Sequence, residues 1–194
     1  MSEYRGVLYI SMLPRFDAIC GITTEELNTI FAPSVKDFAE ANDITVEEAK
    51  SQLKQRYDGY HFSKGMTDIY NPFSLLNAFK TEEAKDYWFA SGTPTYLMRL
   101  LAHSDENIQD IIDQSYEAQE FVDYRATVET PVPMIYQSGY LTIKGYNRED
   151  EEYKLDFPNH EVASGFLALL AAGYFQTPTQ PNNWATKLKK ALHH

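Results

Sequence analysis

Two aspartates and a histidine stand among tyrosines and phenylalanines in QRYDGYHFSKGMTDIYNPF, the stretch from Gln55 to Phe73. Asp58, His61 and Asp68 are candidate polar groups there, and Tyr57, Tyr60, Phe62, Tyr70 and Phe73 supply its rings. A small-molecule pocket is built from apolar walls and a few convergent polar groups. On that reading Asp58 and Asp68 form a carboxylate pair beside His61, and the stretch is the pocket of an enzyme. A plainer reading explains the same residues. Asp58 beside Gly59 is ordinary turn chemistry and Asp68 suits the start of a strand. Aromatic rings near chain breaks more often anchor a core than line a pocket.

Elsewhere the chain offers little chemistry. It holds no GxxxxGK[ST] phosphate loop, no GxSxG elbow and no HExxH helix. Its histidines, His61, His103, His160, His193 and His194, are dispersed, and His160 and Glu161 are adjacent and so diverge on a helix. Cys20 is the single cysteine, which rules out an intrachain disulfide and a cysteine-based metal site. It lies in AICGIT with no basic neighbour to lower its pKa, so a buried, inert thiol is expected. No catalytic, cofactor-binding or metal-ligating residue is assigned, and no cofactor is implied.

The composition, 43% hydrophobic and 14% aromatic over 194 residues, suits one globular domain or two small ones sharing a core. Seventeen Lys and Arg against 28 Asp and Glu leave a formal charge of −11. Such a field repels phosphate backbones and makes nucleic acid an unfavoured partner. Lys187, Lys189 and Lys190 read as a solvated helix face. There is no signal-peptide pattern and no apolar run near the roughly 18 residues of a membrane span, so a cytoplasmic protein is expected.

The elements that would carry these residues are mostly helical. Thr23 with Glu26 makes a capping box, followed by the stripe Leu27, Ile30 and Phe31, with Pro33 as the stop. A short helix from Ser34 buries Val35 and Phe38. A second capping box, Thr45 with Glu48, opens a helix through Ala49 and Leu53 to about Arg56. Gly59 and Gly65 then forbid a continuous helix. Asn71-Pro72 is an N-cap with proline at the first helical position; the helix carries Leu75, Leu76 and Phe79, with Phe73 beginning its buried face. Thr93-Pro94 repeats the device before Leu97, Leu100 and Leu101. Residues 104–120 read as one or two further helices around Ile108, Ile111 and Ile112.

After Gly139 the pattern changes to period two. YLTIKGY and EEYKLDF flank the polar turn Asn147-Arg148-Glu149-Asp150, a β-hairpin that turns Tyr140, Thr142 and Lys144 one way and Leu141 and Ile143 the other. A helix from about His160 buries Val162, Phe166, Leu169 and Leu170. Helices followed by a hairpin and a helix resemble a winged-helix arrangement, in which Tyr140, Lys144, Tyr146 and Arg148 on the wing could touch phosphate. The alternative is ordinary hairpin surface.

Several segments in order, YDGYHF, IYNPFSLLNAF, YWFASGTPTYLMRLL, YQSGYLTIKGY and YKLDFPNHEV, resemble the C-terminal part of the bacterial AAA-ATPase-like family. Its members often continue into a PD-(D/E)XK nuclease-like domain. LYISMLPRFDAICGITTEEL resembles the junction at which the ATPase core passes into its helical part, and the resemblance runs from about Leu8 to Tyr174. It implies a nucleotide-binding core ahead of ISMLPRF and a nuclease-like domain after the PNHEV helix. Neither motif set occurs in this chain, so no nucleotide-binding or nuclease residue carries over.

The expectation is therefore a mainly α (α+β) protein: a helical bundle over 1–125, a winged-helix-like unit with one β-hairpin over 126–176, and a linker and tail over 177–194. The expected role is a non-catalytic interaction or regulatory module with a protein partner or a second copy. The alternatives are a nucleic-acid-binding winged-helix-like module and an enzyme with its pocket at Tyr57–Phe73. The expected partner or ligand surface comprises Tyr57, Asp58, Tyr60, His61, Phe62, Asp68, Lys144 and Arg148.

Overall fold

A computed structural model describes residues 12–90, 108–122 and 131–175, with side chains at 89–90, 108–109 and 169–175 outside the description. The expected helix after Thr93-Pro94, the linker and tail over 177–194, and the sequence ahead of Met12 lie outside the described residues. The chain is mainly α-helical with two small antiparallel sheets.

Helix starts follow their local chemistry. α1 (Thr24–Thr29) and α3 (Val46–Tyr57) both begin with the full capping box. Thr23 Oγ1 accepts from the Glu26 N–H at 3.2 Å while Glu26 Oε2 accepts from the Thr23 N–H at 2.9 Å. Thr45 and Glu48 repeat this at 3.2 and 2.8 Å. α4 (Pro72–Thr81) starts under Asn71, whose Oδ1 accepts from the Phe73 and Ser74 N–H groups. Proline at its first position costs nothing, because that N–H has no helical partner.

Three expectations about these helices change. Pro33 does not stop the first helix; it opens α2 (Ala32–Ala41). Ile30 is 67% exposed, because α1 ends at Thr29 before the stripe Leu27–Ile30–Phe31 can turn inward. Phe73 and Leu76 do not lie on the buried face of α4. That face is Ser74, Leu75 and Ala78, spaced by three and four, and it leaves Phe73 at 49% and Leu76 at 47% exposure.

The sheets bring distant segments together. β1 (Ile22–Thr23) pairs antiparallel with β2 (Ile69–Tyr70), in the register Ile22 with Tyr70 and Thr23 with Ile69. β4 (Thr142–Asn147) and β5 (Glu152–Asp156) form the expected hairpin. A third strand, β3 (Ser115–Tyr116), joins the outer edge of β5 to give the order β3-β5-β4. Of the one or two helices expected over 104–120 there are two among the described residues, α6 (Ile108–Asp113) before that strand and α7 (Ala118–Val122) after it. α8 (Val132–Gln137) precedes the hairpin and α9 (His160–Phe175) follows it. Within the hairpin a bulge falls between Ile143 and Gly145. Residues Tyr140 to Ile143 are all buried, so both faces of the chain are covered there.

Two clusters of buried side chains organise the chain. The first gathers α1–α4 around Leu27, Val35, Phe38, Leu53, Tyr57 and Leu75. The second gathers α6–α9 and the three-stranded sheet around Ile111, Phe121, Ile135, Ile143, Leu155 and Phe166. Ile111, Tyr116 and Phe121 pack with the hairpin, so the division expected at residue 125 falls inside the second cluster. The stretch Tyr57–Tyr70 belongs to both: Tyr57 and Tyr70 enter the first, Tyr60 and Ile69 the second.

Candidate functional site

The residues singled out in the sequence, apart from Arg148, converge in a seam between the two clusters. Tyr57, Asp58, Tyr60 and His61 are at most 8% exposed. Their placement starts with the end of α3. Tyr57 closes that helix and its hydroxyl donates to the Lys85 carbonyl at 2.8 Å, while its own carbonyl accepts from the Asn71 N–H at 2.8 Å. Gly59 then takes φ +91°, a left-handed conformation that glycine adopts without penalty. The turn lets Tyr60 leave the first core and pair with Ile69 through both backbone bonds, at 3.2 and 3.1 Å. Tyr60 stacks on Phe62, which is half-buried, with centroids 6.2 Å apart.

His61 is held at every polar atom, at three of them by β4 and at the fourth by Asp68. Its N–H donates to Thr142 Oγ1 at 2.8 Å, and its carbonyl accepts from the same hydroxyl at 2.7 Å. On the ring, Nδ1 lies 2.7 Å from the Ile143 carbonyl oxygen and Nε2 lies 2.7 Å from Asp68 Oδ1. Lys54, one turn before the end of α3, bridges the two aspartates: its Nζ is 2.8 Å from Asp68 Oδ2 and 3.1 Å from Asp58 Oδ2. The contact with Asp58 is an ion pair without hydrogen-bond geometry, and Asp58 Oδ1 is also buried without a hydrogen bond.

Lys144 faces the same seam. Its Nζ donates to the Gly59 carbonyl at 2.6 Å and to the Pro158 carbonyl at 3.0 Å. The alternative in which Lys144 touches phosphate from the wing gains no support from this placement, because the side chain is turned onto the chain's own carbonyls. Arg148 is exposed on the hairpin turn, and the structure does not bring it to the seam. Cys20 is exposed, not buried as expected: it ends the short 3-10 helix Pro14–Cys20, which buries Asp17 instead.

Burial and pairing set the charges. Burial pushes the Asp58 carboxyl up, against the Gly59 N–H and Lys54, which pull it down. Burial would also raise Asp68, but the hydrogen bonds from Lys54 and His61 together outweigh it and hold this carboxyl below its ordinary value. Lys54 is held well above the usual amine range, first by its hydrogen bond to Asp68 and then by Asp58. Burial lowers Lys144. Tyr70, buried beside Asp58, is pushed up to about 12 by burial.

Three further groups belong to this seam and were not singled out as site residues. Glu161 is wholly buried at the start of α9, and its Oε1 accepts from the Trp88 N–H at 2.8 Å in α5 (Tyr87–Ala90). Burial raises its carboxyl. Asn159 Nδ2 donates to the Asp58 carbonyl at 2.9 Å while its Oδ1 accepts from the Val162 N–H, so one side chain caps α9 and binds the seam. Asp17 Oδ2 accepts from Ser63 Oγ at 2.9 Å. Asn159 followed by a glutamate in PNHEV is a readable helix start; nothing local shows that either residue reaches another element.

The arrangement directs its polar groups at one another and ties α3, β2, β4 and α9 together. What it does chemically is hold two cores in register. No helix among the described residues is long and apolar enough to cross a membrane. No family model matches the chain, and no solved structure matches it. A curated protein from Azotobacter chroococcum mcd 1, described as an uncharacterized protein in the vnfD 5′ region, is 29% identical over 176 residues. The match covers 87% of this chain and 31% of that relative, so the chain spans about a third of the length of the curated relative it matches.

Proposed function

We propose that the chain is a non-catalytic interaction module that docks, through one face of α4, against a nucleotide-binding core of the AAA-ATPase-like kind. The observation that carries this reading is the exposure of large apolar side chains around that helix. Phe73 and Leu76 lie one turn apart on α4, at 49% and 47% exposure, and Ile30 is 67% exposed. Phe31, the neighbour of Ile30, stacks on Phe79 of α4 with centroids 6.0 Å apart, which places the end of α1 beside that helix. Exposed apolar groups clustered on one element mark surfaces that another protein covers. The match to about a third of a longer relative agrees with a module that works beside further chain. So does the seam, whose polar groups are directed at each other.

The experiment is a binding titration of the chain against a separately produced, phosphate-loop-bearing core of that kind, with and without nucleotide. Binding that falls more than tenfold in the Phe73→Ser/Leu76→Ser double variant, with an unchanged melting curve, is the expected result. Equal binding by the variant, no binding in either nucleotide state, or ATP turnover by the chain alone defeats the proposal. The hairpin and its third strand support a winged-helix-like arrangement, but the inward Lys144 removes a basic group from the wing. A docking module is therefore the favoured reading over a phosphate-binding one.

A further inference from the structure

We propose that His61 is a proton-controlled latch between the two cores, closed while its ring is doubly protonated and loosened when the ring is neutral. Ring geometry carries the inference. Nδ1 faces a backbone carbonyl oxygen, which can only accept, so Nδ1 must bear a hydrogen. Nε2 faces a carboxylate oxygen at 2.7 Å. Both bonds exist together only if the ring is cationic or if Asp68 holds the proton. Asp68 already accepts from the Lys54 ammonium at 2.8 Å on its other oxygen, which favours the ionised carboxylate and the imidazolium.

The surrounding charges agree. Facing the junction are Lys54 and Asp58 from α3, Asp68 from the loop ahead of β2, Lys144 from β4 and Asp156 from β5. With the imidazolium included, Lys54, His61 and Lys144 match Asp58, Asp68 and Asp156. The neutral ring leaves one carboxylate in excess and sets the Nε2 lone pair against Asp68 Oδ1. Because His61 also grips Thr142 and Ile143, the strain falls on the contact between the first core and β4. The latch holds whether or not α4 is a docking face.

The test uses nitrogen-15-labelled full chain, with long-range proton–nitrogen correlation on the His61 ring and amide exchange at His61, Thr142 and Ile143, from about pH 5.5 to 8. Both ring nitrogens should be protonated at the acid end and one at the alkaline end. Protection of these amides, corrected for intrinsic exchange, should fall by about tenfold across the range. In Asp68→Asn the carboxamide can donate to the neutral ring, so protection should become independent of pH. A ring that stays singly protonated throughout, wild-type protection that does not change, or an Asp68→Asn protein with wild-type pH dependence overturns the proposal. The wild-type measurements decide the matter even if the variant folds poorly.

Discussion

Replacing Gly59 by alanine perturbs the seam at its tightest point, and the cost follows from two geometric facts. Its φ is +91°. A Cβ there would lie 2.3 Å from the Pro158 carbonyl oxygen and 2.9 Å from Lys144 Nζ. The left-handed backbone costs an L-residue about 1–2 kcal/mol. The clash adds to this, because a backbone carbonyl cannot swing aside as a side-chain tip can. Its displacement draws Pro158 O from Lys144 and pulls on Asn159, whose amide donates to the Asp58 carbonyl at 2.9 Å. A hydrogen bond to a charged group contributes about 1.5–3 kcal/mol, so Gly59→Ala should cost about 2.5–5 kcal/mol in all. Gly139 is the control. Its φ is +78°, yet a Cβ there meets only Trp88 at 3.7 Å and Tyr60 at 4.0 Å, which are ordinary contacts. Gly139→Ala should therefore cost about 1–2 kcal/mol. Urea titration followed by intrinsic fluorescence, with a common slope, measures both. The gap, about 1.5–3 kcal/mol, is the share owed to the approach of Gly59, Pro158 and Lys144. Equal costs for the two variants would refute the argument that this contact holds the cores together.

The seam's charges give further expectations. Lys54→Met leaves Asp58, 2% exposed, without its cation, and should destabilise by about 2–4 kcal/mol in urea titration, with Asp58→Asn in the same chain recovering part of the loss. The Glu161 carboxyl is raised on folding, so its contribution is greatest at acid pH and is lost as pH rises through the raised value. Glu161→Gln keeps an acceptor for the Trp88 N–H and removes that loss; its stability relative to wild type should grow from pH 4 to pH 7 in a series of thermal melts. Asp68 behaves oppositely: its carboxyl is lowered, so its contribution is present above the ordinary carboxylate range and disappears on acidification. Asp68→Ala should therefore cost most near neutrality and little at about pH 3, as read from urea midpoints.

Local signals made the helical half legible. Thr23 with Glu26, Thr45 with Glu48, and Asn71-Pro72 each place a side-chain acceptor over orphan N–H groups within three residues, and each marks a real helix start. The helices' facing was less legible, because one turn more or less rotates a stripe. α1 stops at Thr29, so Ile30 emerges into solvent; α4 turns Ser74, Leu75 and Ala78 inward, so Phe73 and Leu76 emerge too. β3 was hidden for another reason. Two residues, Ser115 and Tyr116, carry no periodicity of their own and become a strand only because β5 offers them an edge.

The candidate residues were found by type, yet their arrangement depends on contacts that span the chain. His61 meets Thr142 and Ile143, Gly59 meets Lys144, and Asp58 meets Asn159, across separations of 81 to 101 residues. Nothing within RYDGYHF indicates which strand it will meet. That is why the aromatic cluster suggested a pocket: a pocket and a seam have the same composition, apolar walls around a few polar groups. They differ in where the polar groups are directed. In a binding site, donors and acceptors converge on shared space. Here the Lys54 ammonium already lies between Asp58 and Asp68, the Lys144 ammonium between two carbonyls, and both His61 nitrogens against acceptors of the chain itself. The charged residues of this stretch thus serve to join two small cores. Farther along the chain, on α4, the apolar side chains Phe73 and Leu76 face outward, and that is the face proposed above for a partner.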